Sequence, residues 1–272
     1  MYKRILVPLD GSPFSEEVIP YAAGVAAVHG TELVLLRIAE KLSDEEDARE
    51  YIKRVASIHG AHGLCVVGTG DAAQAVLTEA SRVPETLLAM TSRGHSGLME
   101  LVLGSVAKRI VRGAGRPVLV YHPTGARNPD RAPVKLHSVV LPLDGSPLSE
   151  AMASDAAKFA LWIDASLEVV SAIQAVNATK VGEVSGAEMS MLESGYVHSQ
   201  ATQLSKQHGV RVDWDVLHGD PVAAIVDHVA RRSDVILAMT TQRKDALEAA
   251  LLGSVTSGCL RKAGVPILMR LP

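Results

Sequence analysis

The chain has 272 residues, of which 47% are hydrophobic and only 3% aromatic, and its formal net charge is −3 at pH 7. This length fits one or two domains, with cores rich in Val, Leu and Ala. The near-neutral charge, with both signs interspersed, argues against a nucleic-acid partner, which would require a basic patch. No apolar stretch reaches the roughly 18 residues of a membrane span, so we expect no membrane partner.

Two further features predict a cytoplasmic protein. The N-terminal residues MYKRILVPLDG lead directly into a strand pattern, without the apolar core and cleavage site of a signal peptide. The cysteines, Cys65 and Cys259, lie far apart in apolar contexts, so we expect buried reduced thiols rather than a disulfide. The ten histidines lack metal-ligand spacing to a carboxylate or cysteine, and no metal site is expected.

The first half of the chain alternates strand and helix patterns. Ser12 is a suitable N-cap for the first helix, with Pro13 at its first position. Strands that alternate with helices at this spacing form βαβ crossovers, and therefore a parallel sheet covered on both faces. Apolar runs predict strands at 3–9, 33–39, 63–67, 86–90 and 117–121, and helical spacing predicts helices at 14–28, 43–57, 71–82 and 106–112.

The second half of the chain repeats the first. Such self-similarity indicates a tandem duplication of a whole domain, because solenoid repeats have much shorter periods. HSVVLPLDGSPLSEAM (137–152) restates KRILVPLDGSPFSEEV (3–18), HGDPVAAIVDHVA (218–230) restates GTGDAAQAVLTEA (68–80), and ALLGSVTSGCLRKAGVPILM (250–269) restates LVLGSVAKRIVRGAGRPVLV (101–120).

A polar segment rich in Pro, Gly and Arg, HPTGARNPDRAPVK (122–135), lies between the copies and is typical of a linker. We predict one domain at 1–122, a linker at 123–136 and a second domain at 137–272. The second copy is longer between its second and third strands, where 182–209 predicts a longer helix.

The stretch LLAMTSRGHSGLMELVLGS (87–105) predicts an anion site in the first copy. A buried strand ends in a Gly- and Ser-rich loop, and Gly104-Ser105 then opens an amphipathic helix. Small residues leave backbone N–H groups open to a ligand, and the helix start adds free N–H groups and the positive end of its dipole. This arrangement suits a phosphate group.

These features together resemble a tandem universal stress protein over nearly the whole chain. The marks of the family are the PxD turn after the first strand, the GDP-type turn before the third helix, and LLGSV followed by PVLV. The resemblance implies two doubly wound α/β domains, each with a five-stranded parallel sheet. It also implies pairing through the last strands, 118–121 and 267–270, so that one chain forms its own pseudo-dimer; association of two chains stays open.

Some members of this family bind ATP through the pattern G-x2-G-x9-G-[ST]. In copy one, Gly94 and Gly104-Ser105 match the second half of the pattern, while Thr91 replaces its first glycine. The resemblance implies that backbone donors from Arg93 to Gly97, with Ser105 and the helix start, hold the phosphates, and Arg93 or His95 adds charge. The alternative is that Gly94 and Gly97 only turn the chain and Ser105 only caps the helix.

The family also implies positions for the adenosine half of the ligand. Asp10 would lie near the ribose with Pro8 in the same turn, Ile38 would present backbone to the adenine, and Met90 and Val106 would line the cleft. A carboxylate suits a ribose because it accepts hydrogen bonds from two hydroxyl groups. The alternatives are an Asx-turn at Asp10 and plain packing for the other four residues.

Copy two has Gly253-Ser254 but carries Thr240 and Arg243 at the two earlier glycine positions. Asp144 and Pro142 persist, which leaves open whether an adenosine half survives there. We therefore expect ATP, with Mg²⁺, in domain 1 only.

The chain lacks a G-x4-G-K-[ST] loop and a nucleophile elbow, so we expect at most slow ATP hydrolysis. The predicted function is a nucleotide-responsive binding module of the stress response that acts on an unknown protein partner. The alternatives are a structural or interaction protein without nucleotide, and an ATP-dependent transferase or ligase that fold analogy alone suggests.

Overall fold

The computed structural model describes residues 2–68, 70–94, 102–125, 132–174, 186–241 and 252–271, with the backbone alone at 186–189. The chain divides into two compact units. Unit 1 comprises Met1–Lys135 together with Pro266–Leu271, and unit 2 comprises Leu136–Val265. The domain boundaries inferred from the repeats stay a prediction.

Unit 1 has the predicted alternation of strands and helices. Its strands are arranged in the order β3-β2-β1-β4-β5-β10. The first five are parallel, whereas β10 runs antiparallel to β5, which confirms the predicted pairing of the last strands. The elements are β1 (Arg4–Leu9), α1 (Pro13–Glu16), α2 (Ile19–His29), β2 (Glu32–Ala39), α3 (Glu45–His59), β3 (His62–Val67), α4 (Ala72–Arg82), β4 (Thr86–Thr91), α5 (Ser105–Gly113), β5 (Val118–Tyr121) and β10 (Ile267–Arg270).

Unit 2 repeats this alternation with the strand order β9-β6-β7-β8, all parallel. Its helix α8 has 23 residues against 15 in α3, which confirms the longer helix predicted for the second copy. The elements are β6 (Ser138–Pro142), α6 (Pro147–Glu150), α7 (Ala153–Trp162), β7 (Ser166–Ile173), α8 (Gly186–His208), β8 (Val212–His218), α9 (Pro221–Val229), β9 (Val235–Thr240) and α10 (Ser254–Lys262).

The central strands form the cores of both units. All six residues of β4 and all six of β9 are buried, as expected for parallel strands that are covered on both faces. Full burial of one such aliphatic side chain contributes about 1.5–3 kcal/mol. Cys259 is buried, but Cys65 is only half-buried, so the expectation of a buried thiol is wrong there; β3, which carries it, is an edge strand.

The predicted helix at 14–28 is two helices. α1 ends at Glu16, and α2 begins at Ile19 after a break at Glu17 and Val18. The cause is Pro20, which lacks an N–H to continue the ladder and whose ring clashes with the carbonyl four residues earlier. Pro20 is tolerated because it lies in the first turn of α2.

The segment between the repeats is anchored to unit 1 at both of its described ends. The carboxylate of Glu17 accepts the backbone N–H groups of Thr124 (2.9 Å) and Gly125 (3.0 Å). The Val134 N–H donates to the Pro20 carbonyl at 2.9 Å, and here the backbone lies directly on α2. A Cβ on Gly24 would stand 1.8 Å from the Val134 oxygen, so only glycine permits this contact.

No described helix combines the length and apolarity needed to cross a membrane. Among the same residues, no three His, Cys, Asp or Glu side chains lie in an arrangement that would hold a metal ion.

Candidate functional site

Several of the predicted site residues of unit 1 lie at the carboxyl ends of the neighbouring strands β1 and β4. The strand order reverses its direction between these two strands, and ligands of open α/β sheets bind outside the carboxyl ends at such a point. Among the described residues, the β1–β4 ladder ends at Leu6 and Leu88, although both strands run three residues further. The strands therefore separate toward the end that carries the predicted site residues.

Asp10 follows β1 at this edge and forms a tight polar turn with the start of α1. Its Oδ1 accepts the Ser12 N–H at 2.9 Å and the Ser12 hydroxyl at 2.6 Å. The Ser15 N–H bonds the Ser12 Oγ at 3.3 Å, which confirms Ser12 as the N-cap of α1. The Asx-turn foreseen as an alternative for Asp10 is thus present.

Three of the predicted cleft residues lie on the strands beneath this turn. Ile38 and Met90 are buried, near the ends of β2 and β4, and Pro8 is half-buried in β1. Ile38 lies close to Gly68, where an added Cβ would approach its Cγ2 within 2.8 Å. These residues lie near the carboxyl ends of their strands, and their roles toward a ligand stay a prediction.

The loop after β4 begins with a turn that uses the Thr91 side chain. The buried Thr91 hydroxyl donates to the Arg93 carbonyl at 2.9 Å, so threonine is accommodated at the first glycine position of the family pattern. Arg93 donates to the Pro123 carbonyl at 3.1 Å. The side chain that was predicted to add positive charge at the phosphates therefore forms a hydrogen bond within unit 1. His95 and Gly97 lie outside the described residues.

Gly94 brings this loop against the Asp10 turn. A Cβ on Gly94 would stand 1.8 Å from Oδ2 of Asp10, so any side chain here would displace the carboxylate. The close approach explains the glycine at this position without reference to a ligand. It also places the loop backbone directly beside the carboxylate predicted to bind a ribose.

The far end of the same loop is the start of α5. Gly104 is the N-cap residue and donates its N–H to the Ser92 carbonyl at 2.8 Å. Ser105 is the first helical residue and not the cap, so the alternative of a capping serine is wrong. Both Ser105 and Val106 are exposed. The first backbone bond of the helix is Lys108 N–H to Gly104 O, so the N–H groups of 105–107 precede the ladder.

Unit 2 contains a cavity of about 250 Å³ at the equivalent edge of its sheet. The β6–β9 ladder likewise stops short, at Val140 and Leu237 among the described residues, before either strand ends. Most lining residues are the counterparts of the predicted site in unit 1. They are Pro142, Leu143, Asp144, Ser146, Leu148, Ser149, Ala172, Pro221, Ile225, Met239, Thr240, Gly253, Ser254, Val255 and Thr256.

Asp144 forms in unit 2 the turn that Asp10 forms in unit 1. Its Oδ1 accepts the hydroxyls of Ser146 (2.5 Å) and Ser149 (2.6 Å) and the Ser146 N–H (3.0 Å). Burial raises the pKa of Asp144, but the hydrogen bonds from these serines outweigh it and hold the pKa below its ordinary value. The carboxylate that lines the cavity is therefore ionised at neutral pH.

A sequence profile described as the Universal stress protein family matches residues 1–54, 39–122 and 135–269. The chain belongs to the universal stress protein family.

Known members of the family resemble it at low sequence identity. A universal stress protein of Mycobacterium tuberculosis strain H37Rv is 30% identical over 197 residues, which is 67% of this chain but only 61% of that protein. The crystal structure of a universal stress protein from Archaeoglobus fulgidus covers 100% of this chain and 99% of that one, with 17% identity and a TM-score of 0.66, and supports the fold. A further solved universal stress protein, in complex with cAMP, is 21% identical over 49% of this chain and 95% of that one, with a TM-score of 0.40.

Several residues that shape the site of this universal stress protein were not predicted. Ser92 joins the loop ends through its carbonyl, and its hydroxyl lies 2.7 Å from Nδ1 of His122. Tyr51 reaches α1 from a helix remote in sequence. Ala172 of β7 occupies the position that Ile38 occupies in β2. Ile38 pairs with Val66 of β3, and Ala172 pairs with Leu217 at the equivalent point of β8. Only the last could have been found by aligning the two copies.

Proposed function

We propose that unit 1 binds ATP and that the protein is a nucleotide-responsive binding module of the stress response. The observation that carries this proposal is the contact of Gly94 with Asp10 at the strand-order reversal, in the same loop that leads to the open start of α5. A carboxylate, a bare backbone and a helix N-terminus there form a cradle that suits a ribose followed by phosphates.

Each part of the nucleotide has a matching group. The N–H groups of 105–107 would face the phosphates, and the Asp10 carboxylate would accept from the ribose hydroxyls. The apolar side chains of Pro8, Ile38 and Met90 would lie against the adenine. Mg²⁺ would arrive with the phosphates, since no three-carboxylate cluster exists among the described residues to hold it alone. The described residues include no evident general base beside the α5 start, which favours binding over turnover.

The response of the protein would follow from ordering of the loop after β4. Ser92 and Arg93 contact His122 and Pro123, so a phosphate that moves this loop would also move the segment that follows β5. That surface would be offered to a protein partner in the cytoplasm. Sedimentation velocity of the purified protein would establish whether two whole chains associate.

Unit 2 offers a second candidate, favoured by its open cavity. The cavity combines an ionised carboxylate, an apolar wall and the start of α10, but the loop positions that would approach phosphates carry Thr240 and Arg243 rather than glycine. A nucleoside without phosphates would suit it better than ATP. The remaining alternative, an interaction protein without any nucleotide, is favoured by the engagement of Arg93 with Pro123.

The deciding experiment identifies the nucleotide that co-purifies and measures its rebinding. Freshly purified protein is denatured, the released small molecules are chromatographed, and the stripped protein is titrated with ATP and Mg²⁺. We expect a single nucleotide per chain, lost in Gly104→Val, whose isopropyl group would cover the start of α5. A Cβ on Gly104 meets Ser92 O at 3.6 Å, an ordinary contact, so the variant should fold.

Gly253→Val is the matched control. Gly253 has the backbone angles φ −63° and ψ 162°, almost those of Gly104 at −65° and 164°, but lies at the start of α10 in unit 2. ATP binding that survives Gly253→Val and disappears in Gly104→Val would assign the site to unit 1. Absence of binding heat up to millimolar ATP would instead support the interaction protein.

A further inference from the structure

The Asp10 turn depends on a helix of only four residues. α1 spans Pro13–Glu16, which is too short to be stable by itself. Within it, Ser15 donates its hydroxyl to the Ser12 carbonyl at 2.8 Å and accepts the Asp10 N–H at 3.4 Å. The position of the Asp10 carboxylate is therefore fixed by α1, and α1 must be held by other parts of unit 1.

Tyr51 of α3 supplies such a contact. Its hydroxyl donates to Oε1 of Glu16, the last residue of α1, at 3.0 Å. Burial, and next the neighbouring Glu16, raise the pKa of the Tyr51 hydroxyl, whereas the Ser15 hydroxyl opposes this shift. Asp10 adds a smaller increase. The phenol therefore contacts α1 at its last residue, Glu16, and it stays a hydrogen-bond donor.

Unit 2 has the same contact from a different helix position. Tyr196 of α8 donates to Oε1 of Glu150, the last residue of α6, at 2.8 Å. Gln200, one turn further along α8, also donates to Oε1 of Glu150 at 3.2 Å. Glu150 corresponds to Glu16 in the repeated sequence, because each stands six residues after the aspartate of its turn.

The two tyrosines do not occupy equivalent positions in their helices. Tyr51 lies nine residues before Gly60, the C-cap of α3, whereas Tyr196 lies thirteen residues before Gly209, which follows α8. The difference of four residues is about one helical turn, so both side chains leave the same face. The same tyrosine–glutamate contact thus occurs in both units, but the tyrosine lies one helical turn earlier in α8 than in α3.

We infer that Tyr51 is a positioning residue of the nucleotide site: through Glu16 it holds α1, and through α1 it fixes the Asp10 carboxylate that selects a ribose. Tyr51 does not touch the ligand itself. This inference rests on the proposed binding of ATP in unit 1, and it concerns recognition of the sugar rather than of the phosphates.

The test compares ATP with 2′,3′-dideoxyATP, which lacks the hydroxyls that Asp10 would bind. Removal of the phenol hydroxyl in Tyr51→Phe loses one hydrogen bond and should weaken ATP binding by about five-fold. The affinity for 2′,3′-dideoxyATP should change little. The ratio of the affinity for ATP to that for 2′,3′-dideoxyATP, which measures the preference for the ribose, should therefore decrease. A purely structural role would lower the thermal stability or weaken both nucleotides equally, without a change in their ratio.

Two variants sharpen the comparison. Tyr196→Phe, the matched change in unit 2, should leave the ATP affinity of unit 1 and its ribose preference unchanged. Glu16→Met, which removes the acceptor of the Tyr51 hydroxyl, should reproduce the effect of Tyr51→Phe. The double variant should add little, because the two groups act through one hydrogen bond. An additive double variant would contradict the proposed route through Glu16.

Hydrogen exchange of the ligand-free protein provides a readout that needs no nucleotide. Amides of residues 10–16 should exchange faster in Tyr51→Phe, and not in Tyr196→Phe. Unchanged exchange, or an unchanged ribose preference while ATP still binds, would overturn the inference and leave the ATP site standing. Loss of the ribose preference in Asp10→Asn but not in Tyr51→Phe would also overturn the role of Tyr51 and leave the ATP site standing. A wild-type protein that binds no nucleotide would contradict both proposals.

Discussion

Glu79 and His228 occupy the same position in the two copies of one helix, yet Glu79 accepts a hydrogen bond from a side chain of the sheet, whereas His228 donates one. Glu79 follows Asp71, the N-cap residue of α4, by eight residues, and His228 follows Asp220, the N-cap residue of α9, by eight. Both N-cap aspartates accept the N–H three residues further on, so the two helices begin in the same way. At this position, α4 of copy one carries the acid Glu79, and α9 of copy two carries the base His228.

The strands supply the complementary groups from different places. Arg4 of β1 donates to Glu79 at 3.1 Å, and both side chains are buried. Glu168 of β7 accepts from His228 at 2.7 Å and from Arg232 at 3.1 Å.

The contact of Glu168 makes unit 2 sensitive to acid. The hydrogen bond from His228, supported by Arg232, holds the pKa of Glu168 below its ordinary value in spite of burial. Because the folded-state pKa is depressed, this stabilisation is complete above the unfolded-state pKa of about 4.3 and is lost as the pH falls through the folded-state pKa. Glu168→Gln should therefore lower the free energy of unfolding at pH 7, and the difference from wild type should shrink below pH ~4.

Tryptophan fluorescence measures the pH dependence of the stability of unit 2. The chain has two tryptophans, Trp162 and Trp214, and both lie in unit 2. Urea unfolding followed by their emission at several pH values gives the stability of that unit. A difference between Glu168→Gln and wild type that stays constant down to pH ~3 would contradict the assigned role of the carboxylate.

Gly24 should tolerate no side chain, because the backbone of Val134 lies on it. Gly24→Ala would place a Cβ 1.8 Å from the Val134 oxygen, and we expect a loss of about 1–3 kcal/mol or detachment of the segment from α2. Amide exchange at Val134, whose N–H bonds the Pro20 carbonyl, measures that detachment.

Gly195→Ala is the matched control for Gly24→Ala. Gly195 is a helical glycine in α8 with open space around its would-be Cβ. Alanine there should stabilise unit 2 by about 0.5–1 kcal/mol, since glycine is the poorer helix former. Equal effects of the two substitutions would mean that helix propensity, and not the close contact, governs Gly24.

Ser138 should be replaceable by alanine at no cost. It is buried in β6, and its hydroxyl has no hydrogen-bond partner among the described residues. Removal of an unpaired buried hydroxyl costs nothing and relieves its desolvation, so Ser138→Ala should leave the unfolding free energy unchanged or raise it by up to ~1 kcal/mol. A loss above that size, measured by tryptophan emission, would show that the hydroxyl has a partner.

Thr86→Val in unit 1 provides the contrast. The Thr86 hydroxyl accepts from Arg4 at 3.2 Å and donates to the Val83 carbonyl at 2.7 Å. An isosteric valine would remove the partner of the Arg4 Nε–H and of the Val83 carbonyl, while Arg4 keeps its bonds to Glu79. We expect a loss of about 1–3 kcal/mol in the free energy of unfolding, measured by circular dichroism.

The sequence predicted most of the fold because the repeated strands are continuous apolar runs between strong turn residues. It also placed Ser12 at the start of α1 correctly, since serine followed by proline is a specific helix signal. It missed the break at Glu17, because the apolar spacing of 14–28 continues through the residues on both sides of Pro20. The polar composition of 122–135 indicated a linker, but it gave no sign that the Val134 backbone packs against Gly24.

The candidate site was only partly predictable. Asp10, Gly94 and Gly104 were found because the family pattern and the turn chemistry both mark them. Tyr51 and Ser92 were not, since their roles depend on contacts between elements far apart in sequence, which no local pattern encodes. The tyrosine contact is invisible even to a comparison of the two copies, because Tyr51 and Tyr196 lie at different helix positions.

Ala172 lines the cavity of unit 2 at the position where copy one has the larger Ile38. Ala172→Ile should fill part of the 250 Å³ cavity and close it to a ligand. Since the new side chain extends into empty space, overpacking should cost less than the usual 1–3 kcal/mol. If unit 2 binds adenosine, titration of the variant should show that binding lost, while ATP binding in unit 1 and the tryptophan-monitored unfolding stay near wild type. Adenosine binding that survives Ala172→Ile would place the nucleoside elsewhere.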